Sequence, residues 1–192
     1  MTALANTRRW RLCVIGPIIL VVAACTAGAP SQEPTPTPLP AASSFAEYAV
    51  AFCSAFEAMF RAVGNPDTAA GSALSKALDQ AVTDLDGTTA ERLASEINRE
   101  LESGRQHVSR AREWPPAAPA MAQLDRVFVA FEAMTAAKVA KARGEPGAVD
   151  PQAAFEGAGG VDAWFAMFEA YRTIGAAHPG GAPRCDNVPI SP

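Results

Sequence analysis

The chain has 192 residues, 49% of them hydrophobic, and 16 basic against 20 acidic residues give it a formal net charge of −4. That length suits one domain with a proper core rather than several. The acidic balance argues against nucleic acid as a partner, because neutralising phosphates requires a basic surface, and it equally disfavours a purely electrostatic hold on anionic lipid.

Residues 1–24 read as a signal peptide. Arg8, Arg9 and Arg11 form a positive start, Leu12 to Val22 a short apolar run, and Ala23 and Ala24 the small residues that a signal peptidase requires. The apolar segment, about 13 residues, is too short to cross a hydrocarbon core that takes about 20. The run Leu20-Val21-Val22-Ala23-Ala24-Cys25 resembles the lipobox of bacterial lipoproteins, over about the first 25 residues of the chain. The resemblance implies cleavage between Ala24 and Cys25, a diacylglyceryl group on Cys25, and a mature chain held to the membrane outside the cytoplasm. Thr26 follows, so the aspartate that retains some lipoproteins at the inner membrane of double-membraned bacteria is absent, and an outer-membrane location fits such a source. The competing reading is an ordinary secretory signal, with Cys25 an incidental thiol.

Four cysteines then have separate fates. Cys13 leaves with the signal and Cys25 is acylated. Cys53 and Cys185 remain as a pair in a compartment where disulfides persist. A bridge between them closes a loop of about 130 residues and, in the chain-entropy model, removes roughly 5 kcal/mol from the unfolded ensemble. The alternative is a buried thiol at Cys53 and a free Cys185 in a tail. The signal takes three basic residues and no acidic one, which leaves 13 basic against 20 acidic and a mature net charge of −7.

Residues 25–42 form a tether, with Pro30, Pro34, Pro36, Pro38 and Pro40 set among Thr, Ser and Ala. Polyproline II is the expected conformation, and at about 3.1 Å per residue it holds the following domain up to about 50 Å from Cys25. A recognition motif or O-glycosylation site is the other use of such a Pro-Thr repeat.

Residues 43–192 carry helical periodicity and no useful strand alternation, and predict an all-α fold, an antiparallel bundle of four or five helices behind the Pro-rich tether. Ser44 and Glu47 form a capping box, after which Phe45, Tyr48, Phe52, Phe56, Met59 and Val63 make one stripe that stops at Gly64-Asn65-Pro66. A second helix is expected from near Pro66 and Asp67, with Leu74, Leu78, Val82 and Leu85, to Asp86-Gly87. The third opens on Thr88 and Glu91 as a second capping box, and aligns Leu93, Ile97, Leu101 and Val108. Trp114-Pro115-Pro116 breaks it. A fourth helix from about Ala118 to Arg143 turns Leu124, Val127, Phe128, Phe131, Met134 and Val139 inward. Asp150 and Pro151 cap and start a further segment that Gly157-Ala158-Gly159-Gly160 interrupts. A last helix from near Val161 presents Trp164, Phe165, Phe168, Tyr171 and Ile174, and the remaining residues form a Pro-rich tail.

The search for chemistry finds no catalytic constellation, no cofactor site and no metal site. His107 is expected as a solvated residue on the third helix, without the Glu-x-x-His spacing of di-iron bundles. His178 precedes Pro179, and a zinc site with Cys185 lacks two ligands. The glycines at 157, 159 and 160 follow helix rather than strand, and Asp162 stands where a P-loop needs lysine. Asp79, Asp84 and Asp86 lack EF-hand spacing. Ser43, Ser44, Ser54, Ser72 and Ser75 have no paired histidine and acid. Arg105, Arg110 and Arg112 gather at a helix C-terminus, where they complement the dipole or, on the sharper reading, form a phospholipid or partner patch. Phe52, Phe56, Phe60, Phe128, Phe131, Trp164, Phe165 and Phe168 either pack the core or line an apolar pocket. The functional expectation is a lipid-anchored extracytoplasmic helical module that binds an envelope protein, with no enzymatic activity; the alternative is a carrier or sensor of a small apolar ligand held by those rings.

Overall fold

Ser44 takes the cap position before Phe45, its hydroxyl accepting a hydrogen bond from the Glu47 amide at 3.3 Å, and helix α1 follows over Phe45–Val63. The computed structural model describes residues 44–64, 71–178 and 185; the signal, Cys25, the tether and most of the C-terminal tail lie outside the described residues. Five further helices follow: α2 (Ala73–Thr83), α3 (Gly87–Arg112), α4 (Ala118–Ala142), α5 (Pro151–Gly157) and α6 (Gly160–Ala177). One 3-10 turn, Pro115–Ala117, lies between α3 and α4. Among the described residues there is no strand, and the fold is an all-α bundle.

Four long helices build the core. Arg61 of α1 meets Glu100 of α3, Gly104 of α3 lies against Phe128 of α4, and Glu91 of α3 meets Arg143 of α4, so α3 runs antiparallel to both neighbours. α6 returns antiparallel to α1, as the ring pairs Phe45–His178, Phe52–Tyr171 and Phe56–Trp164 show. The short helices α2 and α5 pack on this frame, α2 against α3 and α5 against α4. Among the described residues the count is therefore six, four long helices and two short ones, rather than four or five. The seven-residue α5 is a helix in its own right, because the Asp150 carboxylate accepts from the Gln152 and Ala153 amides and Gly159, at φ 76°, separates it from α6.

The stripe of α1 is buried almost without remainder, with Tyr48, Phe52, Phe56 and Met59 at 0% exposure. Leu124, Val127 and Phe128 of α4 close over it together with Ile97, Leu101 and Val108 of α3.

Three boundaries differ from expectation. Ser72, not Pro66 or Asp67, caps α2: its oxygen accepts from the Ser75 amide and its hydroxyl donates to the Ala62 carbonyl of α1 at 2.7 Å. Residues 65–70 lie outside the described residues. Leu85 is not on the helix but in the turn after it, at φ 54° and 67% exposed. Asp86, rather than Thr88 with Glu91, caps α3, accepting from the Thr89 amide at 3.0 Å and leaving Glu91 for Arg143. α6 also rotates by about one residue relative to its expected face. Ala163, Met167, Tyr171 and Ile174 turn inward, while Phe165 is 68% exposed and Trp164 and Phe168 are half-buried. Gly160 leaves room for the Phe155 ring of α5, and Trp164 meets Phe56 of α1.

Candidate functional site

Cys53 and Cys185 are joined by a disulfide, with Cα atoms 5.3 Å apart and 132 residues between them in sequence. Cys53 sits beside the buried stripe of α1, and both half-cystines pack on the edge of the core. The expected lipidation and cleavage residues, Ala24 and Cys25, lie outside the described residues.

The other residues singled out for chemistry have structural partners. Arg105 and Arg112 converge on Asp125 of α4 at 3.0 and 3.3 Å, and Arg105 also reaches Glu132 at 3.5 Å. Arg105 and Arg112 are thus paired with carboxylates of α4 rather than open to solvent as one cationic patch, and the charge of Arg110 acts on His107. Asp79 pairs with Lys138, Asp84 accepts from Gln80, and Asp86 is a helix cap whose carboxyl is held below its ordinary value by the Thr89 hydroxyl and amide. Among the described residues no group of three or more His, Cys, Asp or Glu side chains could hold a metal ion.

Both histidines sit differently from expectation. His107 is half-buried against α1, and its Nδ1 has no hydrogen-bond partner. Burial, then the charges of Arg110 and Arg61, push its pKa down, against a smaller opposing pull from Glu57. Its helical neighbours gave no sign of this, since the groups that bury it come from α1. His178 stacks on Phe45 at 4.6 Å and meets Trp114 at 5.0 Å, which closes the end of the bundle where the chain enters. Tyr48, buried beside the same rings, has its pKa raised by burial and by Tyr171.

The aromatic interior is packed ring on ring. Phe52 meets Phe56 and Tyr171 at 4.7 and 4.9 Å, and Phe131 meets Phe155 at 4.8 Å. Among the described residues two open grooves lie along α4. One groove of about 570 Å³ runs between α4, the loop at 145–149 and α5, over Ala133, Ala136 and Ala140, with Val149 on its wall. A second, of about 400 Å³, lies between α3 and α4 and is lined by Ser95, Asn98, Thr135 and the Glu91–Arg143 pair. The two share Ala136, Ala140 and Glu145. Sequence reading did not find them, because the loop wall is brought to α4 only by the fold. No described helix is long and apolar enough to cross a membrane.

These features define a class, a disulfide-stapled all-α bundle with open surface grooves. Compared with protein-family models, with curated proteins and with solved structures, the chain matches none.

Proposed function

We propose that the protein is a lipid-anchored, extracytoplasmic binding module of the bacterial cell envelope, acting through a protein partner. The observation that carries this reading is the Cys53–Cys185 disulfide, since such bridges persist in oxidising compartments and are rare in the cytosol. The lipobox-like run ending in Cys25 supports the same location and supplies the anchor. The ring-on-ring interior favours a partner bound at the surface over a small apolar ligand held inside. The alanine-floored groove between α4 and α5 is the candidate contact surface, because small side chains let another backbone approach closely and Val149, 57% exposed, offers an apolar edge.

Two measurements test this. Intact-mass analysis of membrane-purified protein should give a mature chain starting at Cys25 with a diacylglyceryl addition, and Cys25→Ser should release it from the membrane; a different N-terminus defeats the anchor. A photocrosslinking residue at Ala136 of the full chain in intact cells should then capture one defined protein that the same residue at Glu113, exposed near the end of α3, does not. Equal labelling from both positions defeats the groove.

A further inference from the structure

Two adjacent residues in the turn between α2 and α3 work against the fold that holds them. Leu85 is left-handed, at φ 54°, and 67% exposed, so a branched side chain carries the backbone cost of that conformation without being buried. At the matching place after α4 the chain uses Gly144. Asp84 takes the C-cap of α2, the helix end that favours a cation over an acid. It is exposed and accepts one hydrogen bond, from the Gln80 amide group at 2.9 Å. Asp86, on the other side of Leu85, is exposed as well and spends its carboxylate on the Thr89 amide. Neither carboxylate meets a cation among the described residues. The turn is nevertheless fixed, because the Asp86 amide donates to the Ala81 carbonyl at 2.9 Å. It lies at the far end of the 26-residue α3 from Trp114, which meets Phe45 where the bundle begins; that helix is about 39 Å long.

The free molecule therefore holds, at the end away from its tether, a rigid apolar knob between two carboxylates that no base neutralises. We propose that Leu85 is the central contact with a protein partner, inserting into an apolar pocket whose rim carries Lys or Arg side chains facing Asp84 and Asp86. A pre-set turn loses little freedom on binding, and a buried apolar centre with complementary charges around it is how a small contact gains both affinity and specificity. The strained leucine and the misplaced acid cost the free protein stability, a cost that partner binding offsets. The same two carboxylates oppose an anionic lipid surface and a second copy of this acidic chain. The proposal rests on the partner reading above but on a different contact, and its test separates the two.

A photocrosslinking residue at Thr88, exposed beside the turn, in the full chain in intact cells should capture one protein, which mass spectrometry of the adduct names. That protein, purified, is then titrated with the full chain in detergent. Leu85→Met should bind within about threefold of wild type, whereas Leu85→Asn, which suits a left-handed position but is not apolar, should bind about 30-fold more weakly. Asp84→Lys should weaken binding by about tenfold at low ionic strength and much less at about 0.5 M salt. Labelling from Thr88 no stronger than from Glu113, a captured protein that binds Leu85→Asn as tightly as wild type, or tighter binding by Asp84→Lys overturns the proposal. A protein captured from Ala136 but not from Thr88 overturns the Leu85 contact and leaves the groove reading standing.

Discussion

The ring of Phe128 on α4 occupies the space that a side chain at Gly104 of α3 would need, while the Ala55 carbonyl of α1 lies 3.3 Å from the same point. Three helices therefore meet at a residue that has no room to grow. Gly104→Ala would gain up to about 1 kcal/mol of helix propensity, but overpacking a fixed site costs about 1–3 kcal/mol, and both the carbonyl and the fully buried ring resist moving. The expected outcome is a net loss of up to about 2 kcal/mol in urea denaturation. Gly157, with open space around it, provides the contrast, and Gly157→Ala should be neutral or stabilising.

Leu85 holds a left-handed conformation in the turn that ends α2. The Asp86 amide donates to the Ala81 carbonyl at 2.9 Å and the Leu85 amide to Val82 at 3.3 Å, the pairing of a Schellman motif. α4 ends in the same pairing, with Glu145 donating to Ala140 and Gly144 to Lys141, but there the left-handed residue is glycine, at φ 66°. Because Leu85 buries little, Leu85→Gly should raise stability by about 1 kcal/mol, the relief of its backbone strain. A lower thermal midpoint in the variant would show that the exposed leucine is held by contacts that outweigh the strain.

Removing the bridge frees the longest loop in the domain. Cys53→Ser with Cys185→Ser should lower stability by up to about 5 kcal/mol on the chain-entropy account, with the far-ultraviolet helical signal retained. Non-reducing peptide mapping of native protein should recover the two cysteines in one linked peptide pair; recovery as free thiols refutes the bridge.

His107 makes stability depend on pH. Its folded pKa lies below the ordinary 6.5, so in the window beneath that value the unfolded chain binds the proton more readily than the folded one. Its contribution is therefore complete above 6.5 and is lost as pH falls toward the folded value. Denaturation midpoints measured from about pH 7.5 down to about pH 5 should decline in the wild type, and His107→Gln should flatten that decline. An equally steep decline in the variant would assign the acid sensitivity to carboxylates.

Much of this was legible in the chain. Ser44, the six apolar positions from Phe45 to Val63 and the stop at Gly64 described α1 nearly to the residue, and counting cysteines pointed to Cys53 and Cys185 as a pair. Trp114-Pro115-Pro116 and Asp150-Pro151 likewise marked real breaks. What was not legible has one physical origin. Periodicity shows that a helix has an apolar face, but α6 has two, and only the fit against α4 decides that Met167 rather than Phe165 goes in. His107 was misread for the same reason, since α1 buries it from across the interface. The groove beside Ala136 arises from the placement of a loop, which has no signature in the residues that form its floor.

The stack of Phe45 on His178 brings the first and last helices together at one end of the bundle. The first and last long helices thus meet through their rings, so a circularly permuted chain that keeps Cys185, with its C-terminus linked to Ser44 and reopened in the loop between α4 and α5, should reach the same core. During synthesis the order is not arbitrary. α3 and α4 are adjacent in sequence and can pair early, whereas the rings of α1 that face α6 wait until nearly the whole chain has emerged, which places completion of the domain after translation rather than during it.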